Sequence, residues 1–179
     1  TDGGFAHGGW AAPYHDPAVG AAIGQAMGAP YDLVLGRHTY DIFAGYWPKA
    51  ARSPMADSLN RARKYVATHR PDSLAWGPAE DLGADIAAGV AAAKAADGPD
   101  LVLWGSSSVT PLLLDRELAD EILLLVFPVL LGTGKRFFTD VVGPRGLKLV
   151  SSTAAASGVV LSTYRPDGPL RTGSMDEIE

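Results

Sequence analysis

The sequence predicts an α/β protein: a mostly parallel sheet flanked by helices, closed by a C-terminal antiparallel hairpin. Three observations predict it. Short, largely apolar runs at residues 31–35, 64–68, 101–104 and 121–127 alternate with helical patterns. Runs without polar alternation belong to strands buried on both faces, as in parallel sheets. Residues 147–153 and 158–164 do alternate in polarity, as a hairpin with one wet face does. The chain has 179 residues, 47% apolar and 20% charged, which is material for one domain's core. Residues 1–165 are expected to form that domain, and 166–179 a polar tail.

Each element has a local reason. The glycine-rich start, residues 1–10, reads as loop. Asp16 is a helix cap followed by Pro17 at the first helical position, so residues 18–27 form a short helix despite Gly20 and Gly24. Residues 31–35 are a strand, 39–43 a helical turn and 44–48 a loop. Ser53-Pro54 repeats the cap-and-proline signal and opens a helix through residue 62. Residues 64–68 are a strand, and 73–76 a second, shorter one. Residues 85–96 are an alanine-rich helix stopped by Gly98-Pro99. Residues 101–104 are a strand ending at Gly105, after which Ser107 or Ser108 starts a helix through 114. Residues 121–127 are the last strand before the hairpin.

Bulk properties exclude several function classes. A net charge of −5 argues against general nucleic-acid or anionic-membrane binding. The chain has no cysteine, so there is neither a disulfide nor a thiolate metal site, which fits a cytoplasmic protein. No apolar run reaches the roughly 18 residues that span a bilayer, and no leader pattern is visible at Thr1. His7, His15, His38 and His69 show no metal-ligand spacing, so no metal is expected. A G-x-S-x-G nucleophile elbow is absent.

Chemistry concentrates where strands end. Gly36-Arg37-His38-Thr39-Tyr40 follows the first strand and opens a helix. Backbone N–H groups, a hydroxyl and a guanidinium at a helix N-terminus suit a phosphate; the bland alternative is a strand-to-helix turn with a solvated arginine. Thr68-His69-Arg70 ends the next strand, with a hydroxyl, an imidazole and a guanidinium that suit a terminal phosphate monoester. By itself it would be only a polar turn before Pro71; beside Arg37 it favours a 2′-phosphate and so a phosphorylated dinucleotide. Gly105-Ser106-Ser107-Ser108 lets the backbone approach closely and offers hydroxyls to a pyrophosphate. Serine capping is its simpler reading. It is not the G-x-G-x-x-G fingerprint. In open α/β sheets ligands sit at the carboxyl ends of strands, so all three turns are expected to face one crevice. The glycine-hinged stretch at residues 128–138 brings Lys135 and Arg136, either as surface cations or toward an anionic ligand. Asp16 is read as a helix cap rather than a proton donor.

Four blocks together carry a resemblance: residues 35–40, 66–68, 102–106 and 127–138. In that order they resemble the dihydrofolate reductase-like superfamily, and within it the branch of the reductase domain of bacterial riboflavin biosynthesis. The resemblance covers about residues 3–165. It implies a dihydrofolate reductase-like fold and NADPH at the three strand ends. Arg37, helped by Thr68, His69 and Arg70, would meet the adenosine 2′-phosphate. His38 and Thr39, after Gly36, would lie along the pyrophosphate, with Gly105, Ser106, Ser107 and Ser108 opposite. Phe43 would fall near the substrate. A small-molecule substrate and a homodimer are implied too. Family chains begin with a central strand upstream of the loop that Thr1 opens, so the sequence reads as starting inside the domain. True dihydrofolate reductases carry a substrate carboxylate in the first helix; residues 18–27 hold no acid, which argues against folate. The expected activity is NADPH-dependent hydride transfer to a small unsaturated, heterocyclic substrate. The alternatives are the riboflavin-pathway pyrimidine reductase and a nucleotide-binding protein without turnover.

Overall fold

The computed structural model describes residues 5–174. The first four residues of the glycine-rich start and the last five of the polar tail lie outside the described residues. Two compact units emerge. One comprises Gly24–Leu118 and Lys135–Val142, the other the chain up to Ile23, Ala119–Gly134 and the chain from Gly143 on.

The first unit holds the parallel sheet. Its strands are β1 (Tyr31–Gly36), β2 (Lys64–Ala67), β3 (Ala79–Asp81) and β4 (Asp100–Leu103), in the order β3-β2-β1-β4. Every pairing in it is parallel. Strand β1 is central and shows why its sequence is apolar throughout. Successive strand residues face opposite sides. Val34 packs into a cluster with Ala67, Leu82, Val90, Val109 and Leu113, whereas Leu33 and Leu35, pointing the other way, are also fully buried. The sheet is therefore covered on both faces. Its helices are α2 (Arg37–Tyr46), α3 (Pro54–Arg61), α4 (Ile86–Ala95) and α5 (Val109–Asp115). The cap read at Ser53 is in place, its side chain accepting from Ala56 N–H, and the helix expected from residue 85 begins one residue later because the Asp85 side chain caps it, accepting from Ala88 N–H.

The second unit holds an antiparallel sheet of β5 (Ile122–Val126), β6 (Arg145–Ala154) and β7 (Val160–Pro169), in the order β5-β7-β6. Most of helix α1 (Pro17–Met27) belongs to it and contributes Val19, Ala22 and Ile23 to a core with Leu123, Leu125, Val159 and Leu161. Asp16 caps α1 as expected: one carboxylate oxygen accepts from Ala18 N–H (2.8 Å), the other from Ser157 N–H (3.2 Å). These two N–H groups hold its pKa below the ordinary carboxylate value, which suits a cap and not a proton donor.

Several local expectations are revised. Residues 39–43 are part of a ten-residue helix, α2, that starts at Arg37 and continues through the expected loop as far as Tyr46. Residues 73–76 are not a strand: Pro71–Ser73 is a 3-10 turn, and the third strand is Ala79–Asp81. The reason lies in Trp76, whose backbone N–H and carbonyl are both bonded to the Tyr40 hydroxyl and so are spent on a side chain instead of a ladder. Acidic β3 carries no strand propensity of its own, and Glu80 is held by Arg63 (3.1 Å). Strand β5 pairs with β7 in the antiparallel sheet, not with the parallel one, and β7 runs to Pro169, into the stretch read as tail. Among the described residues no helix is long and apolar enough to cross a membrane.

Candidate functional site

Strands β2, β1 and β4 are parallel neighbours, so the turns that follow them leave the same edge of the sheet. In register, Gly36 lies beside Ala67, and Val34 beside Leu103. The turns at 68–70 and 104–108 are thereby each brought within bonding distance of the turn at 36–39, which lies between them.

Arg37 joins the first turn to the second. Its Nη1 donates to Ser73 Oγ (2.7 Å), to the Arg70 carbonyl (3.1 Å) and, at longer range, to Thr68 Oγ1 (3.4 Å). Its Nε donates to Asp41 Oδ1 at 2.8 Å, one helical turn along α2. The guanidinium also lies 5.7 Å from the centre of the Tyr40 ring. Asp41 bridges further: its Oδ2 is 3.3 Å from Arg70 Nη2. Thr68 Oγ1 accepts from Arg70 N–H (3.0 Å) and fixes the bend. Arg37 is mostly enclosed, with a side chain 18% exposed, whereas that of Arg70 is 64% exposed. The result is a basic corner of two arginines, one rigid and one at the rim.

Ser106 joins the first turn to the third. Its Oγ accepts from Gly36 N–H at 2.7 Å and sits 3.3 Å from Thr39 Oγ1 and 3.2 Å from the Trp104 carbonyl. Gly105 and Ser106 both have left-handed backbone, φ 63° and 59°. The glycine accommodates this readily, and the serine is held there by its three neighbours. Gly36 has ordinary φ, but a Cβ on it would meet Ser106 Cβ and Oγ at 3.3 Å, so its smallness serves this close approach. Ser106 is buried, whereas Ser107 and Ser108 are exposed. Of the three serines expected to face a pyrophosphate, the first is thus turned inward as a staple. His38 and His69 are exposed on their turns.

Behind this edge lies an aromatic cluster. Phe43, two helical turns beyond Gly36, makes edge contacts with Trp47, Trp76 and Trp104 at centroid distances of 6.1, 6.4 and 6.2 Å. Trp76 anchors the loop that carries Arg70 and Ser73. The Tyr40 hydroxyl accepts from its backbone N–H (2.7 Å), and its indole N–H donates to Asn60 Oδ1 (2.8 Å). Lys64, with no exposed surface, places its ammonium 4.1 Å from the Trp76 ring centre and donates to the carbonyls of Asn60 (2.9 Å) and Gly77 (3.3 Å). Burial draws its pKa down to about 8, against the opposing pull of the Asp32 carboxylate. Lys135 is exposed within Lys135–Val142.

The structure therefore joins Gly36, Arg37, Thr39, Thr68, Arg70 and Ser106 by direct contacts, with Gly105 next to Ser106 in the third turn. Two of the partners, Asp41 and Ser73, were not foreseen. Asp41 had a readable signal, its i, i+4 spacing from Arg37; Ser73 had none. Chemically, the arrangement offers an anion-binding corner on a rigid sheet edge. Near it are aromatic surfaces suited to a planar ring.

Comparison with known proteins gives a consistent picture. Residues 1–161 match the family model of the RibD C-terminal domain. The uncharacterized protein YyaP of Bacillus subtilis is 29% identical over 140 residues, 76% of this chain and 74% of that protein. Two solved structures share the fold. A putative riboflavin biosynthesis protein from Shewanella sp. PV-4 matches with TM-score 0.55 and 21% identity, over 77% of this chain and 74% of that one. A pyrimidine reductase-like protein from Corynebacterium diphtheriae matches with TM-score 0.60 and 12% identity, over 87% and 83%.

Proposed function

The chain belongs to the RibD C-terminal domain family, and from that premise we propose that it is an NADPH-dependent reductase of a small unsaturated heterocycle. The observation that carries this reading is the basic corner, where Arg37, Thr68 and Arg70 come together beside the first turn of α2. A 2′-phosphate carries roughly two negative charges at neutral pH, and a guanidinium pair with a hydroxyl is the donor set it favours.

The residues present fit such a cofactor. The left-handed Gly105 leaves the third turn without a side chain where a ligand backbone would pass, and Ser107 and Ser108 stand exposed beside it. When bound, the reduced nicotinamide supplies the hydride. The chain's part is binding and orientation. Arg37 and Arg70, with Thr68 and His69, hold the 2′-phosphate. Gly36, His38 and Thr39 border the pyrophosphate, and Ser106 keeps the first and third turns together. The Phe43 and Trp104 rings offer a wall to a flat substrate. The family match favours a phosphoribosylamino-pyrimidine as the first substrate to assay.

The test is a thermal-shift comparison of NADPH and NADH. A ligand at 100 times its Kd stabilises by about 2.7 kcal/mol, which for a chain of this size is a rise of roughly 5–10 °C. NADPH should produce it and NADH at equal concentration clearly less. No rise with NADPH would refute the cofactor assignment. Where NADPH does produce the rise, pyrimidine-dependent loss of NADPH absorbance identifies the substrate.

A further inference from the structure

We propose that Asp41 is a specificity-setting residue: its carboxylate already fills the two-arginine corner and competes with the incoming 2′-phosphate for it. The inference rests on the NADPH reading above and goes beyond it by assigning a built-in competitor anion.

The argument is one of donor geometry. A guanidinium grips an anion bidentately along one of its edges, Nη1/Nη2 or Nε/Nη2. Nη1 of Arg37 is committed to the second turn through Ser73 Oγ and the Arg70 carbonyl. The remaining edge is Nε/Nη2, and Nε is held by Asp41 at 2.8 Å. The other oxygen of the same carboxylate is on Arg70 Nη2 at 3.3 Å. Asp41 thus spans both guanidiniums, as a phosphate monoester would. A phosphate can take the Nε/Nη2 edge only if Asp41 turns aside. Asp41 is free to do so. Its side chain is 42% exposed, and the ion pair it leaves behind is solvent-screened and weak. A displaced carboxylate nearby still repels the phosphate. The consequence is a site whose affinity for 2′-phosphorylated nucleotides is lower than its two arginines would allow, while nucleotides lacking that phosphate are unaffected.

The test is calorimetric titration of the full chain, as wild type, Asp41→Asn and Asp41→Ala, with adenosine 2′,5′-bisphosphate and with adenosine 5′-monophosphate. Both variants should bind the bisphosphate ~3–10-fold more tightly than wild type does, with the monophosphate unchanged. The alanine variant matters because it cannot donate a bond to the phosphate, so tightening there reports loss of the competitor alone. If wild type prefers the bisphosphate but the variants bind it equally or more weakly, Asp41 positions Arg37 rather than competing; the inference is then overturned while the NADPH reading stands. If wild type and variants alike fail to prefer the bisphosphate, the corner is not a 2′-phosphate site and both fall.

Discussion

Replacing Tyr40 by Phe removes one oxygen atom and tests how the loop under the basic corner is held. Tyr40 is 1% exposed, and its hydroxyl accepts from Trp76 N–H at 2.7 Å and donates to the Trp76 carbonyl at 3.4 Å. Phenylalanine keeps the ring and its contact with the Trp76 indole, 5.9 Å away between centroids, so the cavity term is small. What is lost is the partner of a buried N–H, which costs about 1–3 kcal/mol. The long bond to the carbonyl adds little. A loss of about 2 kcal/mol lowers Tm by roughly 4–8 °C for a chain of this length. Thermal melts of wild type and Tyr40→Phe read it directly. Tyr46→Phe, at a residue 61% exposed, serves as control and should shift stability by less than about 0.5 kcal/mol. A fall of under about 1 °C for Tyr40→Phe would refute the reasoning, because Trp76 N–H would then have found another partner at no cost.

Two further outcomes are expected. Gly89→Ala in α4 should destabilise, reversing the usual sign. A helix-interior glycine-to-alanine change ordinarily gains up to about 1 kcal/mol, but here the new Cβ would overlap the Leu82 carbonyl oxygen and lie 3.0 Å from its carbon. Overpacking of about 1–3 kcal/mol should outweigh the gain; Gly24→Ala in α1, with nothing within 4 Å, should instead raise Tm, and melts of the two variants check the pair. For Lys64, a folded-state pKa drawn down to about 8 by burial means that the cost of its charge is fully present below pH 8. That cost is relieved as pH rises toward the unfolded value near 10.4. Urea titrations should show wild type gaining stability relative to Lys64→Met between pH 8 and 10, and a constant difference across that window would refute the assignment.

The legible part of this protein follows from short-range rules. Short, largely apolar runs marked β1, β2, β4 and β5, and cap signals at Asp16 and Ser53 marked helix starts, because both depend on neighbours within a few residues. The placement of Gly36, Arg37, Thr68 and Gly105 at strand ends was equally local. Strand β3 was not legible, because Ala79–Asp81 owes its conformation to pairing with β2 and not to its own residues. Nor was the end of the supposed strand at 73–76, which is decided by a hydroxyl 36 positions away.

The sequence by itself determined that this is an α/β chain with anion-suited turns after three buried strands, and those turns supported the family resemblance. Only the tertiary structure decided which donors in those turns are still available. Gly36 N–H is taken by Ser106, 70 positions on, and Arg37 Nη1 by Ser73, 36 positions on. Such pairings depend on strand order and register, which bring distant hydroxyls and carbonyls to one edge. Hydrophobic periodicity fixes which face of a strand is buried; it does not carry the identity of the neighbour across the ladder.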